Sequence, residues 1–310
     1  MRIFYLLVLL GYLLTACSPE AISGIPNQAD TAADGPKVIT TYSVLYDLTR
    51  NVAGERAEVS SLVPVGVDPH TYEPTPGDLR RVSEADLIIY NGFGLEVWFN
   101  KLIEAAGKQD KVVVASEFVT PYLIDAEGPF AGLPDPHAWM DPSMVMKYVE
   151  RIRDALIDID PQGADVYIEN AKRFYDELAA LDSWIRQEVQ KIPPENRKLV
   201  TTENALRYFA EAYGFEIVGW IYTLAPEEDI PARRLADLIE QVRNKEVLAL
   251  FVDVTLNPRM LERVSEETGA PIAGSLYIDS LSEPGDGADS YLAMMRANVE
   301  LLVEGLGGRQ

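Results

Sequence analysis

Two α/β lobes with parallel-type sheets covered by helices, joined by one long spine helix, are the architecture this sequence predicts. Three observations predict it. Short, β-branched apolar runs alternate with segments of helical spacing from Lys37 to Val114. One amphipathic stripe without internal proline then runs from Pro161 to Val189. Beyond it the alternation resumes towards the end of the chain. Near-continuous apolar strands separated by helices belong to parallel sheets buried on both faces.

In the first half, residues 38–41, 59–63, 87–90 and 112–114 read as strands, with helices expected over 44–52 and 95–106. These make a first lobe over 37–160. In the middle, Tyr167, Ala171, Phe174, Leu178, Leu181 and Ile185 recur at spacings of 4, 3, 4, 3 and 4, which is one face of a helix. Asp160-Pro161 is a start signal and Pro193-Pro194 a stop. A helix of roughly 28 residues spans about 42 Å. That exceeds the need of one small lobe, so 161–192 reads as a linking helix. The stripe is too short for a sustained coiled coil. In the last part, 199–202, 217–222 and 247–252 read as strands and 205–213, 232–242, 259–268 and 290–302 as helices, giving a second lobe over 193–310. The crevice between such lobes, at the carboxyl ends of the strands, is where a ligand is expected.

Composition narrows the function. The 310 residues carry a formal net charge of -22, and no basic stripe offers nucleic acid a surface. The acidity is compatible with gathering cations and, more simply, with solubility. At the N-terminus, Arg2 precedes an apolar run that ends in Leu14-Thr15-Ala16-Cys17. A basic residue, a short apolar segment and small residues read as a secretory signal over 1–16, too short for a membrane span of about 20 residues. Its end resembles a bacterial lipobox, which implies lipidation of Cys17, anchorage to the cell membrane and an extracytoplasmic location. Residues 18–36 then read as a tether. Cys17 is the only cysteine, so intramolecular disulfides and thiolate metal clusters are excluded.

The chain has two histidines, and both stand in the same tripeptide, Asp68-Pro69-His70 and Asp135-Pro136-His137. Proline stiffens the approach to each imidazole. Neutral imidazole is the commonest metal ligand, and its second nitrogen needs an orienting hydrogen bond. Asp68 and Asp135 are the candidates for that role. A shared local motif makes a metal-binding pair the better reading than two unrelated histidines.

The stretch Gly66-Val67-Asp68-Pro69-His70-Thr71-Tyr72-Glu73-Pro74-Thr75-Pro76-Gly77-Asp78 resembles a signature of the metal-binding lipoproteins of bacterial ABC importers, the manganese and zinc cluster of solute-binding proteins. Asn91–Trp98 and Asp135–Pro142 are similar to two further signatures, as are Thr202–Gly214 and Tyr277–Leu281 in the second half. The likeness covers 37–305. It implies four metal ligands converging between the lobes: His70, His137, Glu203 and Asp279. Thr202-Glu203-Asn204 departs from the family's usual flanks. From the residues alone, Glu203 is equally readable as a helix N-terminal acid, and Asp253 and Glu283 compete with Asp279.

Two imidazoles and two carboxylates favour Mn²⁺ over Zn²⁺, with Zn²⁺ or Fe²⁺ as the alternative, since carboxylate oxygen suits manganese and imidazole suits all three. Zinc-importing relatives typically have a third histidine where Glu203 stands and a histidine-rich loop, and residues 115–136 contain no histidine. The implied partners are ABC permease and ATPase subunits, with the chain itself a monomer and an adhesin role compatible with the anchor. The rival from another class is a zinc-dependent hydrolase. No His-Glu-x-x-His, nucleophile elbow or phosphate loop supports it, and four protein ligands would close the site. The expectation is therefore carriage of a metal, not an enzyme.

Overall fold

The computed structural model describes residues 35–124, 130–224 and 231–307. The signal, Cys17 and most of the tether lie outside them. Among the described residues, no helix is long and apolar enough to cross a membrane.

The first sheet is formed by β1 (Lys37–Thr40), β2 (Glu58–Ser61), β3 (Leu87–Tyr90) and β4 (Val112–Val114) in the order β2-β1-β3-β4. The second is formed by β5 (Lys198–Glu203), β6 (Glu216–Tyr222), β7 (Leu250–Asp253) and β8 (Ile272–Leu276) in the order β6-β5-β7-β8. Every pairing in both is parallel. The carboxyl ends of the strands in each sheet therefore share one edge, and the loops leaving those edges build the site.

Helices α1 (Ser43–Ala53), α2 (Pro76–Glu84), α3 (Phe99–Ala106) and α4 (Pro142–Ile159) belong to the first half. Helix α5 (Ala164–Val189) is the long linking helix, and α6 (Arg207–Tyr213), α7 (Ala232–Asn244), α8 (Arg259–Thr268) and α9 (Tyr291–Leu306) follow. The α5 stripe is buried along its length, from Tyr167 to Val189. It packs against α1, α4 and α9. One continuous core runs from the first sheet through α5 into α9. Alternate residues of β7 divide between two cores: Phe251 joins the main one, while Leu250 and Val252 face a second beneath α7 and α8. That is the period-2 geometry of a sheet covered on both sides.

Several elements differ from the sequence expectation. The linking helix is 26 residues long and starts after a turn of 3-10 helix at Pro161–Gly163. Asp160 does not cap it but closes α4 and pairs with Arg56 at 2.7 Å. Helix α3 starts at Phe99, not at 95, because Glu96 is turned inward to accept backbone N–H groups. Helices α2 and α4 are additions. Each follows a histidine motif and starts on a capped proline: Thr75 accepts from Asp78 N–H ahead of α2, and Asp141 from Ser143 N–H ahead of α4. Strand β8 was also unexpected. Its run Ile272-Ala273-Gly274-Ser275-Leu276 is poor in bulky residues because α9 lies close over it: a Cβ at Gly274 would stand 2.9 Å from Leu301 Cδ1.

Candidate metal centre

His70 lies in the loop after β2 and His137 heads the short turn Ala138–Met140. Glu203 is the last residue of β5, and Asp279 follows β8 by three residues. Glu203 is thus a strand-end residue four positions ahead of α6, not a helix N-terminal acid. These four side chains come together, each offering one ligand atom within 4.8 Å of the others. All are buried. Asp253 is buried nearby but is not in this group, and Glu283 is on the surface.

The spacing is that of a coordination shell. His70 Nε2 lies 3.3 Å from His137 Nε2, 3.4 Å from Glu203 Oε1 and 3.6 Å from Asp279 Oδ2. His137 Nε2 lies 3.8 Å from both Glu203 Oε1 and Asp279 Oδ1. Donors at bond lengths of roughly 2.0–2.2 Å around a tetrahedral ion stand about 3.3–3.6 Å apart. Among the described residues, Glu203 Oε2 and both oxygens of Asp279 are buried without a hydrogen-bond partner. Buried acceptors of that kind are costly, and a cation between the four groups satisfies them.

The two histidine motifs share a local turn and then diverge. In each, the aspartate Oδ1 accepts the histidine N–H two residues on, at 2.7 Å for Asp68 and 3.0 Å for Asp135. Asp135 Oδ1 also accepts from His137 Nδ1 at 2.8 Å. A carboxylate only accepts, so Nδ1 carries a proton, and Nε2 is the nitrogen turned towards the cluster. Asp68 instead uses Oδ2 to accept from the Thr71 hydroxyl at 2.9 Å. Of the two aspartates expected to orient an imidazole, only Asp135 is seen to do so.

Around these groups the backbone is fastened at its carbonyls. Trp98 Nε1 donates to Pro69 O at 2.8 Å, beside His70. Asn91 Nδ2 donates to Pro136 O at 3.0 Å, and Tyr208 OH to Asp135 O at 2.9 Å. Tyr42 and Tyr148 hydroxyls both donate to Asn91 Oδ1, fixing that amide. Asn91 begins a loop in which Gly92, Phe93 and Gly94 all take positive φ, 91°, 54° and 82°. Glu96 holds the loop through the Asn91 N–H at 2.8 Å and the Thr41 hydroxyl at 2.6 Å. Gly92 is required twice over, since its φ is left-handed and a Cβ there would meet Val114 Cγ1 at 2.6 Å. These supports were not individually legible in the sequence. The signals were the Asn91–Trp98 signature and, for Tyr208, the Thr202–Gly214 one, which mark the segments without saying what they hold.

Electrostatics point the same way. Burial, then the charge of Asp279, pushes Glu203 well above the usual carboxylate range. Burial pushes Asp279 up to about 8, reinforced by Asp253 and opposed by His137. Burial, helped by His137, pushes His70 well below its ordinary value. Burial also disfavours the His137 cation, but the hydrogen bond and charge of Asp135 outweigh it and hold that pKa up. Burial thus disfavours the ionised form of both acids, and a dication between them would favour it.

A parallel α/β fold of two sheets with a buried two-histidine, two-carboxylate cluster defines a binding protein for divalent metal ions. The chain belongs to the family described as zinc-uptake complex component A, periplasmic, whose model matches residues 38–305. That family is one of uptake-complex components, which sets aside the hydrolase reading. The manganese-binding lipoprotein MntA of Halalkalibacterium halodurans is 41% identical, over 88% of this chain and 89% of that one. The iron-binding protein YfeA of Yersinia pestis is 37% identical, over 91% and 89%. The solved periplasmic zinc-binding protein TroA of Treponema pallidum superposes with a TM-score of 0.80 at 27% identity, over 88% of this chain and 99% of that one.

Proposed function

We propose that the chain is the extracytoplasmic solute-binding lipoprotein of an ABC importer, that it captures Mn²⁺ at His70, His137, Glu203 and Asp279, and that it hands the ion to the permease. The observation that carries the reading is the convergence of those four donors at 3.3–3.8 Å around one point. Segments 37–160 and 193–310 act as the two lobes and 161–192 as the link, so each lobe contributes two ligands. Lipid on Cys17 holds the monomer at the outer face of the membrane.

Manganese is favoured over zinc because two of the donors are carboxylates and Asp279 faces the histidines with both oxygens, one towards each ring. Bidentate carboxylate would raise the coordination number towards the octahedral oxygen-rich shell that Mn²⁺ accepts. The MntA likeness supports the same choice. The second reading is Zn²⁺. Two imidazoles at tetrahedral spacing suit it, and at equal availability Zn²⁺ binds such a set more tightly than Mn²⁺.

Elemental analysis of the chain purified without added metal, followed by Mn²⁺/Zn²⁺ competition on wild type and His137→Ala, decides between them. One equivalent of manganese, lost in His137→Ala, is expected. Stoichiometric zinc without manganese in the chain as purified replaces the manganese reading with the zinc one. Absence of any bound transition metal overturns both.

A further inference from the structure

We propose that Asp253 is a further buried carboxylate of the metal centre, a positioning residue that sets the charge behind the ion without ligating it. This rests on the metal-capture reading above.

Strand order places it there. In the second sheet β7 lies between β5 and β8. Strand β5 ends at Glu203, β8 leads into the loop that carries Asp279, and β7 ends at Asp253. Asp253 pairs in register with Leu276, three residues before Asp279. Its N–H donates at 2.7 Å to Thr202 Oγ1, on the residue before Glu203. The two carboxylates that the second sheet sends to the cluster thus leave from the strands on either side of Asp253.

The side chain itself is unusual. Asp253 is 0% exposed. Its Oδ1 accepts from the Thr255 N–H at 2.6 Å and from the Thr255 hydroxyl. Its Oδ2 is buried and has no hydrogen-bond partner among the described residues. An acid in that setting is expensive to keep ionised, and its charge also raises both Glu203 and Asp279. In the metal-free chain Asp253 is therefore repulsive towards Glu203 and Asp279 and attractive towards the His137 cation alone of the four groups. A dication reverses the sign: Glu203, Asp279 and Asp253 then face two positive charges together. Acting through charge alone, Asp253 strengthens the hold on any divalent ion to the same degree. Discrimination between metals is left to the four donors, whose geometry and softness differ in their fit to each ion.

The test is Asp253→Asn in the full chain, an exchange of nearly equal volume that removes the charge. Kd for Mn²⁺, Zn²⁺ and Cd²⁺ is measured by competition with a fluorescent chelator, and thermal unfolding is followed without metal. All three Kd values are expected to rise together, by about ten- to a hundredfold, as for one charge removed from behind a dication. The metal-free unfolding midpoint is expected to hold or rise, because a repulsive buried charge has gone. Asp253→Glu, which keeps the charge, is expected to retain most of the affinity even if Asp253→Asn folds poorly. Unchanged affinities in Asp253→Asn overturn the proposal. So does a changed Mn²⁺/Zn²⁺ preference, which marks a direct ligand. A metal-free midpoint that falls along with affinity overturns it too, since that marks a purely structural anchor for Thr255. Wild-type chain that binds none of the three ions refutes the capture reading instead, a separate result.

Discussion

The indole Nε1 of Trp139 donates to the carbonyl oxygen of Ile278 across 2.9 Å. Trp139 stands two residues after His137, and Ile278 immediately precedes Asp279. One hydrogen bond thus ties the segment bearing His137, in the first half, to the segment bearing Asp279, in the second. Tyr291 OH donates to Trp139 O at 2.8 Å, so the N-terminus of α9 closes on the same residue. In Trp139→Phe the slot beside Tyr42 stays aromatic, but the Ile278 carbonyl loses its donor. A loss of about 1–3 kcal/mol is expected for a buried acceptor left unpaired, together with faster metal release. Denaturant unfolding and stopped-flow transfer to a chelator measure the two. An unfolding curve superposable on wild type would show that the bond contributes nothing.

Asp135→Asn addresses the tautomer of His137. The amide oxygen can still accept from Nδ1, but the carboxylate charge that raises the basicity of the ring is gone. Metal affinity is expected to fall about 10–100-fold, with the four donors still in place. Calorimetric titration with Mn²⁺ reads the effect. Wild-type affinity in this variant would mean that Asp135 only shapes the turn.

Stability of the metal-free chain is expected to fall as pH rises from about 4.5 to about 7, the reverse of a protein held by ionised salt bridges. Burial pushes Glu96 from 4.5 to about 7 and Asp47 from 3.8 to about 6. The folded chain then holds these protons more tightly than the unfolded one. Their contribution is fully present below the unfolded values and is lost as pH rises through the folded values. For Glu96 alone the span amounts to about 3 kcal/mol. His70 opposes the trend below its ordinary value of 6.5, because it stays neutral in the fold while the unfolded chain gains a proton. Urea unfolding at intervals across this range tests the slope, and Glu96→Gln is expected to flatten it. Stability that climbs steadily from pH 5 to pH 7 without metal would contradict the assignment. Added Mn²⁺ is expected to stabilise more at pH 8 than at pH 6, since its ligands must shed protons to bind it.

Cys17→Ser is expected to move the chain from the membrane fraction to the soluble extracytoplasmic fraction while leaving metal binding intact. Fractionation and immunoblotting follow the first, metal titration the second. Undiminished membrane retention of the variant would refute the lipid anchor.

The parts legible in the sequence were those carried by local pattern. The alternation over 38–114, the α5 stripe and the two Asp-Pro-His tripeptides are each written within a few neighbouring residues, and the helix and strand periods follow from backbone geometry. Helix α4 was legible in principle, since Asp141-Pro142 repeats the Asp160-Pro161 start signal and Val145, Tyr148, Val149 and Ile152 follow at helical spacing. Strand β8 was not: its small residues answer to the close approach of α9, which no local window contains.

For the site, residue chemistry alone pointed to His70 and His137, and the family resemblance added Glu203 and Asp279. The tertiary structure decided what those residues do for one another. It brought together side chains from positions 70, 137, 203 and 279, separated Asp253 from Asp279 as candidates, and gave Asp135 rather than Asp68 the imidazole. The physical reason is that parallel sheets gather the carboxyl ends of strands distant in sequence onto common edges. Which donors meet there depends on strand order and on tethers such as Trp139 to Ile278. A sequence fixes the donors' chemistry, but only the packed fold sets the distances between them.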